Sequence, residues 1–274
     1  MDRKELSELF NRLHETLEHV PYAICGLGAL IDHGFTRRRA NKISIICPQE
    51  CKNNIKAWAA ARGYETFVDS IGIPTHHHQQ QQALSRDGGK GRSLAEGAER
   101  LRKVRIKFID SGFERLEIKR SSISNAVVLS MTSQLDNVAA GYLYHRRRGD
   151  ERACKIIVSD VFWCLERVAS SPRERLDPDF LPTFLGEEFF ADFTAMNPTA
   201  RVEMERAGID VDAVLAKHHD AAALREHNEM LKQYGLEGDV VAPNPGAFEG
   251  VRDLTNSKSV YTLKDRNSHV SSNA

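Results

Sequence analysis

The residues best placed to do chemistry lie between Tyr22 and Pro48. There a glycine pair, Gly26 and Gly28, precedes three consecutive arginines, Arg37 to Arg39, and an apolar run opening at Lys42. A glycine turn, a basic loop and a strand in that order read as a nucleotide-handling stretch. Two acids near such elements are catalytic candidates. Asp32 directly follows the glycine turn beside His33, and Asp110 closes a later strand, either as a displaced acid or as a turn residue before Ser111 and Gly112. Arg146 to Arg148 form a second basic cluster. Those arginines either cap and solvate helix ends or contact RNA or phosphate.

Metal chemistry has little to work with. His76, His77 and His78 are adjacent in a low-complexity stretch, which is a poor pre-formed site, and Cys47 and Cys51 have no matching pair to complete a zinc centre. The run Gly88 to Ser93 resembles a fragment of a phosphate loop but has the wrong spacing for one. Serine-hydrolase, zinc-protease, Rossmann and deaminase signatures are absent.

Composition narrows the partners. The chain has 274 residues with 38 basic and 38 acidic side chains, so global charge argues for neither nucleic acid nor membrane, and only a local patch can. The charged N-terminus has no apolar signal region, and no run reaches the roughly 20 apolar residues of a membrane span. Five scattered cysteines read as reduced, buried thiols, which points to the cytoplasm.

The elements that must position these residues follow from periodicity. Leu6, Phe10, Leu13 and Leu17 recur at helical spacing, and Pro21 ends that helix. Residues 42 to 47 and 64 to 68 read as strands, with a helix over 50 to 62 between them. Residues 74 to 100 are polar and low in complexity, and are expected to form a mobile insertion. Val104 to Ile109 alternates as a strand, with Arg105, Lys107 and Ile109 on one face, and residues 113 to 118 are expected to extend or flank the sheet. A further strand over 126 to 129 leads into a helix ending at Arg148 and a second helix over 151 to 169, read together as an antiparallel hairpin. Helices over 180–196, 198–207 and 210–234 follow, expected to be less tightly packed.

The run Gly26-Leu27-Gly28 through Gly34 and Arg38 to the strand at Lys42 and Ser44, extended by Arg105 to Leu116, resembles the nucleotidyltransferase superfamily of the DNA polymerase beta type. The resemblance covers residues 5 to 170. It implies an α+β fold, a small mixed sheet with flanking helices followed by a helical C-terminal half. Together with the helical periodicity beyond residue 170 and the turn to Gly, Pro, Asn, Ser and charge after Gly235, the expected organisation is a nucleotidyltransferase-like core over 1–128, a helical region over 129–235 and a disordered tail over 236–274.

In that family two aspartates one residue apart, and a third carboxylate on a neighbouring strand, hold magnesium for phosphoryl transfer. The aligned positions here are Lys42, Ser44 and Lys107. An ammonium about 4 Å from a unit positive charge is repelled by about 4 kcal/mol at an effective dielectric of 20. The expectation is therefore a degenerate nucleotidyltransferase-like fold, without metal or other cofactor, acting as a nucleotide- or phosphate-binding or regulatory module. Gly26, Gly28, Arg38, Lys42, Ser44 and Lys107 either line one anion cleft or are outward-facing strand and loop residues. The alternative is an active enzyme using displaced acids, Asp32 or Asp110, with magnesium. A protein or RNA partner fits either reading; a membrane partner fits neither.

Overall fold

The computed structural model describes residues 1–76, 99–171 and 174–233. In chain order these form α1 (Arg3–Leu17), β1 (Ala23–Cys25), α2 (Leu27–Asp32), β2 (Ile43–Pro48), α3 (Lys52–Ala61), β3 (Glu65–Thr66) and β4 (Ser70–His76). There follow β5 (Glu99–Ile109), β6 (Ile118–Arg120), β7 (Val127–Leu129), α4 (Met131–Arg147), α5 (Glu151–Ala169), α6 (Glu187–Met196), α7 (Ala200–Arg206) and α8 (Val211–Gln233). The fold is α+β. Among the described residues one seven-stranded mixed sheet has the order β3-β4-β5-β2-β1-β7-β6.

Strand alternation gives the sheet two unlike faces. Ile43, Ile45 and Cys47 on β2 share a face with Val104 and Ile106 on β5 and Ile71 and Ile73 on β4, and all are buried in one core with Leu6, Phe10 and Leu13 of α1 and Ile55 and Ala59 of α3. The intervening residues on β2 and β5, namely Ser44, Ile46, Lys103, Arg105 and Lys107, point to the opposite face. At the entry to α1, Asp2 accepts from the Glu5 backbone N–H at 2.8 Å, a standard N-cap.

A second core gathers the helices. Leu135, Val138, Ala139 and Tyr142 of α4 meet Val161, Cys164 and Leu165 of α5, as the hairpin reading requires, and Leu181, Phe184, Phe189, Phe190 and Phe193 join them. The expectation of looser packing beyond residue 177 therefore fails for the stretch from Leu181 to Val214, while α8 beyond Val214 buries no residue among those described. Phe189 and Phe193 stack at 4.9 Å between centroids, and both are fully buried. The residues through Val214 form a layer on this core. The chain divides into two units, Met1–Ala216 and Lys217–Ala274. Of the second, only the continuation of α8 is among the described residues.

Other differences have local causes. Ser70–His76 is a strand that the sequence reading missed, because Gly72 and Pro74 break its pattern. Its register with β5 runs from Ser70 opposite Arg105 to His76 opposite Glu99, while β3 flanks it only at Ile71 and Gly72, so Pro74 needs no partner on that side. The expected insertion over 74–100 is thus entered by strand residues at both ends, and its centre, 77–98, lies outside the described residues, as does the tail over 236–274. Residues 113 to 118 are not a strand throughout: Phe113–Arg115 is a single 3₁₀ turn, led by Gly112 at φ +85°, and β6 begins at Ile118. The last helices start later than expected, with a 3₁₀ turn at Pro178–Phe180 and α6 opening at Glu187. No helix among the described residues is long and apolar enough to cross a membrane.

Candidate functional site

The parallel pairing of β2 with β5 sets the site. Ser44 sits opposite Arg105, and Ile46 opposite Lys107, so Lys107 lies one pleat further along the face that Ser44 and Arg105 share. On the other side of β2, Cys25 of β1 is opposite Ser44 and Ala23 opposite Ile46. Cys25 is fully buried, and burial pushes its thiol up against the pull of the neighbouring Lys107 and Arg105. Lys42 is exposed in the bend immediately before β2, two residues from Ser44. Leu129 and Leu116 pack with Ala23, Cys25 and Ile46 to make an apolar patch beside the cations.

α4 supplies two residues that sequence reasoning missed. Gln134, fully buried, accepts the Gly26 backbone N–H on Oε1 at 2.9 Å, and Asn137, one turn on, accepts from Lys107 Nζ at 3.4 Å. The helix is started by Ser130, whose Oγ accepts the Ser133 N–H at 3.2 Å, and the Ser133 hydroxyl in turn accepts the Glu117 N–H at 2.8 Å. The sequence pattern offers a helix start here with Thr132 or Ser133 as the cap, whereas the cap is Ser130; nothing in the local pattern shows which helical residues reach the glycine turn. Arg105 was legible from its alternation with Lys107.

The glycines do different work. Gly26 has φ +63°, a conformation side chains rarely adopt, and its N–H is taken by Gln134 rather than left for a ligand. Gly28 is a packing residue: a Cβ there would meet Ile24 Cγ2 at 3.1 Å and Ile43 Cγ2 at 3.3 Å, so the glycine lets α2 lie close on β1 and β2.

Several candidates sit away from the basic face. Arg38 pairs with Asp160 of α5 and lies 5.4 Å from the centroid of the Phe35 ring, and Arg37 pairs with Glu166 at 2.8 Å. Burial pushes the Asp160 carboxyl up, and Arg38 draws it back down. Asp32 is only 5% exposed; it accepts from Ser121 Oγ at 2.5 Å and from the Ser122 N–H at 2.9 Å, which fixes the turn after β6. Asp110 is exposed beyond the end of β5. It lies about 17 Å along the strand from Arg105. Three strands separate β5 from β6, so the turn held by Asp32 is about 19 Å from Asp110 across the sheet. The two acids do not converge. Arg146 and Arg147 pair with Asp192 and Glu188 of α6, and Arg148 lies 5.3 Å from the centroid of the Tyr144 ring.

No family model matches the chain, and no curated protein matches it in sequence. Solved structures do. The chain is similar to an antigenic nucleotidyltransferase-like protein from Paracoccidioides brasiliensis, at 13% identity and a TM-score of 0.46, over 74% of this chain and 93% of that one. It is also similar to JHP933 from Helicobacter pylori, at 13% identity and a TM-score of 0.37, over 82% of this chain and 99% of that one. At that distance neither likeness transfers a residue's role.

The donor set can still be judged on its own chemistry. A magnesium ion requires anionic or neutral oxygen ligands. The face offers one hydroxyl, Ser44, among Lys42, Arg105 and Lys107, and no group of three or more His, Cys, Asp or Glu side chains that could hold a metal is found among the described residues. These residues do not fit a divalent cation. They do fit an anion, with guanidinium and ammonium groups as donors and a hydroxyl between them.

Proposed function

We propose that this chain is a degenerate nucleotidyltransferase-like protein that binds a phosphate-bearing ligand, a nucleotide or phosphate, on the basic face of β2 and β5 and does not perform magnesium-dependent transfer. The observation that carries this reading is the shared face of Ser44, Arg105 and Lys107, set by the β2–β5 register. Of the three positions that align with the resembled family's carboxylates, two are lysines, Lys42 and Lys107, and Arg105 stands beside them. They supply the charge that metal ions supply in that family, so the ligand's phosphates are neutralised directly by the protein. Gln134 and Asn137 fix the position of the glycine turn and of Lys107. A regulatory role follows from binding without turnover, and five free cysteines support a reducing, cytoplasmic setting.

Calorimetric titration with ATP and GTP, with magnesium and with a chelator, tests the reading. Binding is expected to persist without magnesium and to weaken about tenfold or more in Lys107→Glu, since the variant replaces attraction by repulsion. Binding unchanged in both Lys42→Glu and Lys107→Glu would remove the site. Magnesium-dependent nucleotide transfer that disappears in Asp110→Asn would establish the active-enzyme alternative instead.

A further inference from the structure

The class of ligand follows from the shape of the face, and this step rests on the phosphate-binding reading above. Lys103, Arg105 and Lys107 occupy alternate positions of a single 11-residue strand, so their cationic ends recur on one side. Two residues of strand span about 6.7 Å. That repeat is comparable to the separation of successive phosphates along an extended single-stranded nucleic acid. A small ligand, by contrast, is normally held in a concave pocket that buries most of its surface. Two cavities among the described residues lie elsewhere. One, of about 1030 Å³, runs beside α1 between Asn11 and Tyr64. The other, of about 400 Å³, is lined by Tyr142, Cys154 and Met196. Neither includes a residue of the cationic row.

An aromatic surface adjoins that row. Phe67, between β3 and β4, is 41% exposed, and Lys103 Nζ lies 5.3 Å from its ring centroid. Leu101, 45% exposed, continues the same face and lies against Gly72, where a Cβ would meet its side chain at 2.9 Å. A cationic track with an exposed ring beside it has the two parts that sequence-tolerant single-strand binders combine, phosphate neutralisation and base stacking. Two acids also face the track: Asp69, 3.8 Å from Arg105, and Glu65, which β3 places opposite Gly72. Both are exposed and leave Lys42, Lys103, Arg105 and Lys107 in excess.

We infer that the open face of β5 binds single-stranded nucleic acid, its backbone following Lys103, Arg105 and Lys107 and a base stacking on Phe67. Fluorescence anisotropy of the full chain with labelled 12-nucleotide oligo(dT) and oligo(U) tests this. ATP, a 12-base-pair duplex and polyglutamate serve as competitors. Single strands are expected to bind about tenfold or more tighter than ATP. Three neutralised phosphates predict that log K falls with log salt at a slope of about −2. Charge reversal in Lys103→Glu/Arg105→Glu is expected to weaken binding about tenfold or more and to flatten that slope. Phe67→Ala, at an exposed position, is expected to weaken it about fivefold or more while circular dichroism stays unchanged.

ATP binding with no gain for the oligonucleotides overturns this inference and leaves the phosphate site standing. Loss of both overturns both. Duplex or polyglutamate binding as tight as the single strands, with Phe67→Ala without effect, makes the face a general polyanion surface and likewise overturns it.

Discussion

His33 is buried next to Asp32, and its Nε2 lies 2.9 Å from the Leu129 carbonyl oxygen, while Nδ1 has no hydrogen-bond partner among the described residues. A carbonyl can only accept, so Nε2 carries the proton and donates it, and Nδ1 is the bare nitrogen. Burial holds the imidazole below its usual pKa and Lys119 adds to that, against the Leu129 carbonyl, Asp32 and Glu174. The native state therefore keeps His33 neutral at a pH where the unfolded chain takes up a proton. A depressed folded pKa contributes stability above the unfolded value of about 6.5, and that contribution is lost as pH falls through the window down to the folded value. Urea denaturation between pH 7.5 and 5 should show stability falling by up to about 1.4 kcal/mol per pH unit on this account. His33→Gln should flatten that slope relative to the parent chain. Equal slopes in the two proteins would mean that His33 does not titrate on unfolding. The same residue shows what a histidine beside an aspartate signifies here: Asp32 and His33 hold two turns of the fold in place, and neither faces the cations of β5.

At the scale of elements, the aromatic cluster of α6 carries the helical half. Phe189 stacks on Phe193, meets Tyr142 edge-on at 5.5 Å between centroids and lies 5.1 Å from Phe184. Phe189→Ala removes a fully buried ring from this cluster and should cost about 3–5 kcal/mol, read from the urea midpoint. A cost under about 1 kcal/mol would mean that this segment is not part of the core. The sequence made the strands of the site legible because Val104 to Ile109 alternates and Lys42 to Cys47 is β-branched between a basic loop and a proline. The helices of α4 and α5 were legible from apolar periodicity and polar caps. The density around Phe184 to Phe193 was not, since a short helix with phenylalanines at i, i+1 and i+4 gives no clue to how many neighbours each ring will find. Nor was β4, whose glycine and proline are tolerated only because β5 and Leu101 complete it. For the site, Lys107 and Arg105 could be placed on one face from alternation alone. The reach of Gln134 and Asn137 across more than a hundred and about thirty positions respectively is a tertiary fact, and no local pattern encodes it.

Across Met1–Ala216 as a whole, the two cores are joined by the segment from His33 to Lys42, which crosses from the sheet to α5. Phe35 inserts into the helical core edge-on to Trp163 at 5.1 Å, and the N-terminal amine donates to the Ala40 carbonyl at 2.8 Å. The two arginine pairs on this segment differ in environment, and that difference decides their weight. Arg37 and Glu166 are 50% and 63% exposed, so their attraction is screened and Arg37→Ala should change stability by no more than about 0.5 kcal/mol. Asp160 is 11% exposed and Arg38 35%, so removing the arginine strands a largely buried carboxylate. The full cost of breaking a buried pair, discounted for the partly solvated arginine, gives about 1–3 kcal/mol for Arg38→Ala at neutral pH. The pH dependence separates this cause from lost packing against Phe35. Burial already raises the Asp160 carboxyl, and without Arg38 it rises further, so the native variant binds a proton at a pH where its unfolded chain does not. The deficit of Arg38→Ala should therefore shrink as pH falls through the carboxyl's native titration. A deficit independent of pH would assign the loss to the Phe35 contact, and a double variant, Arg38→Ala with Asp160→Asn, should recover most of the neutral-pH loss if the stranded charge is the cause.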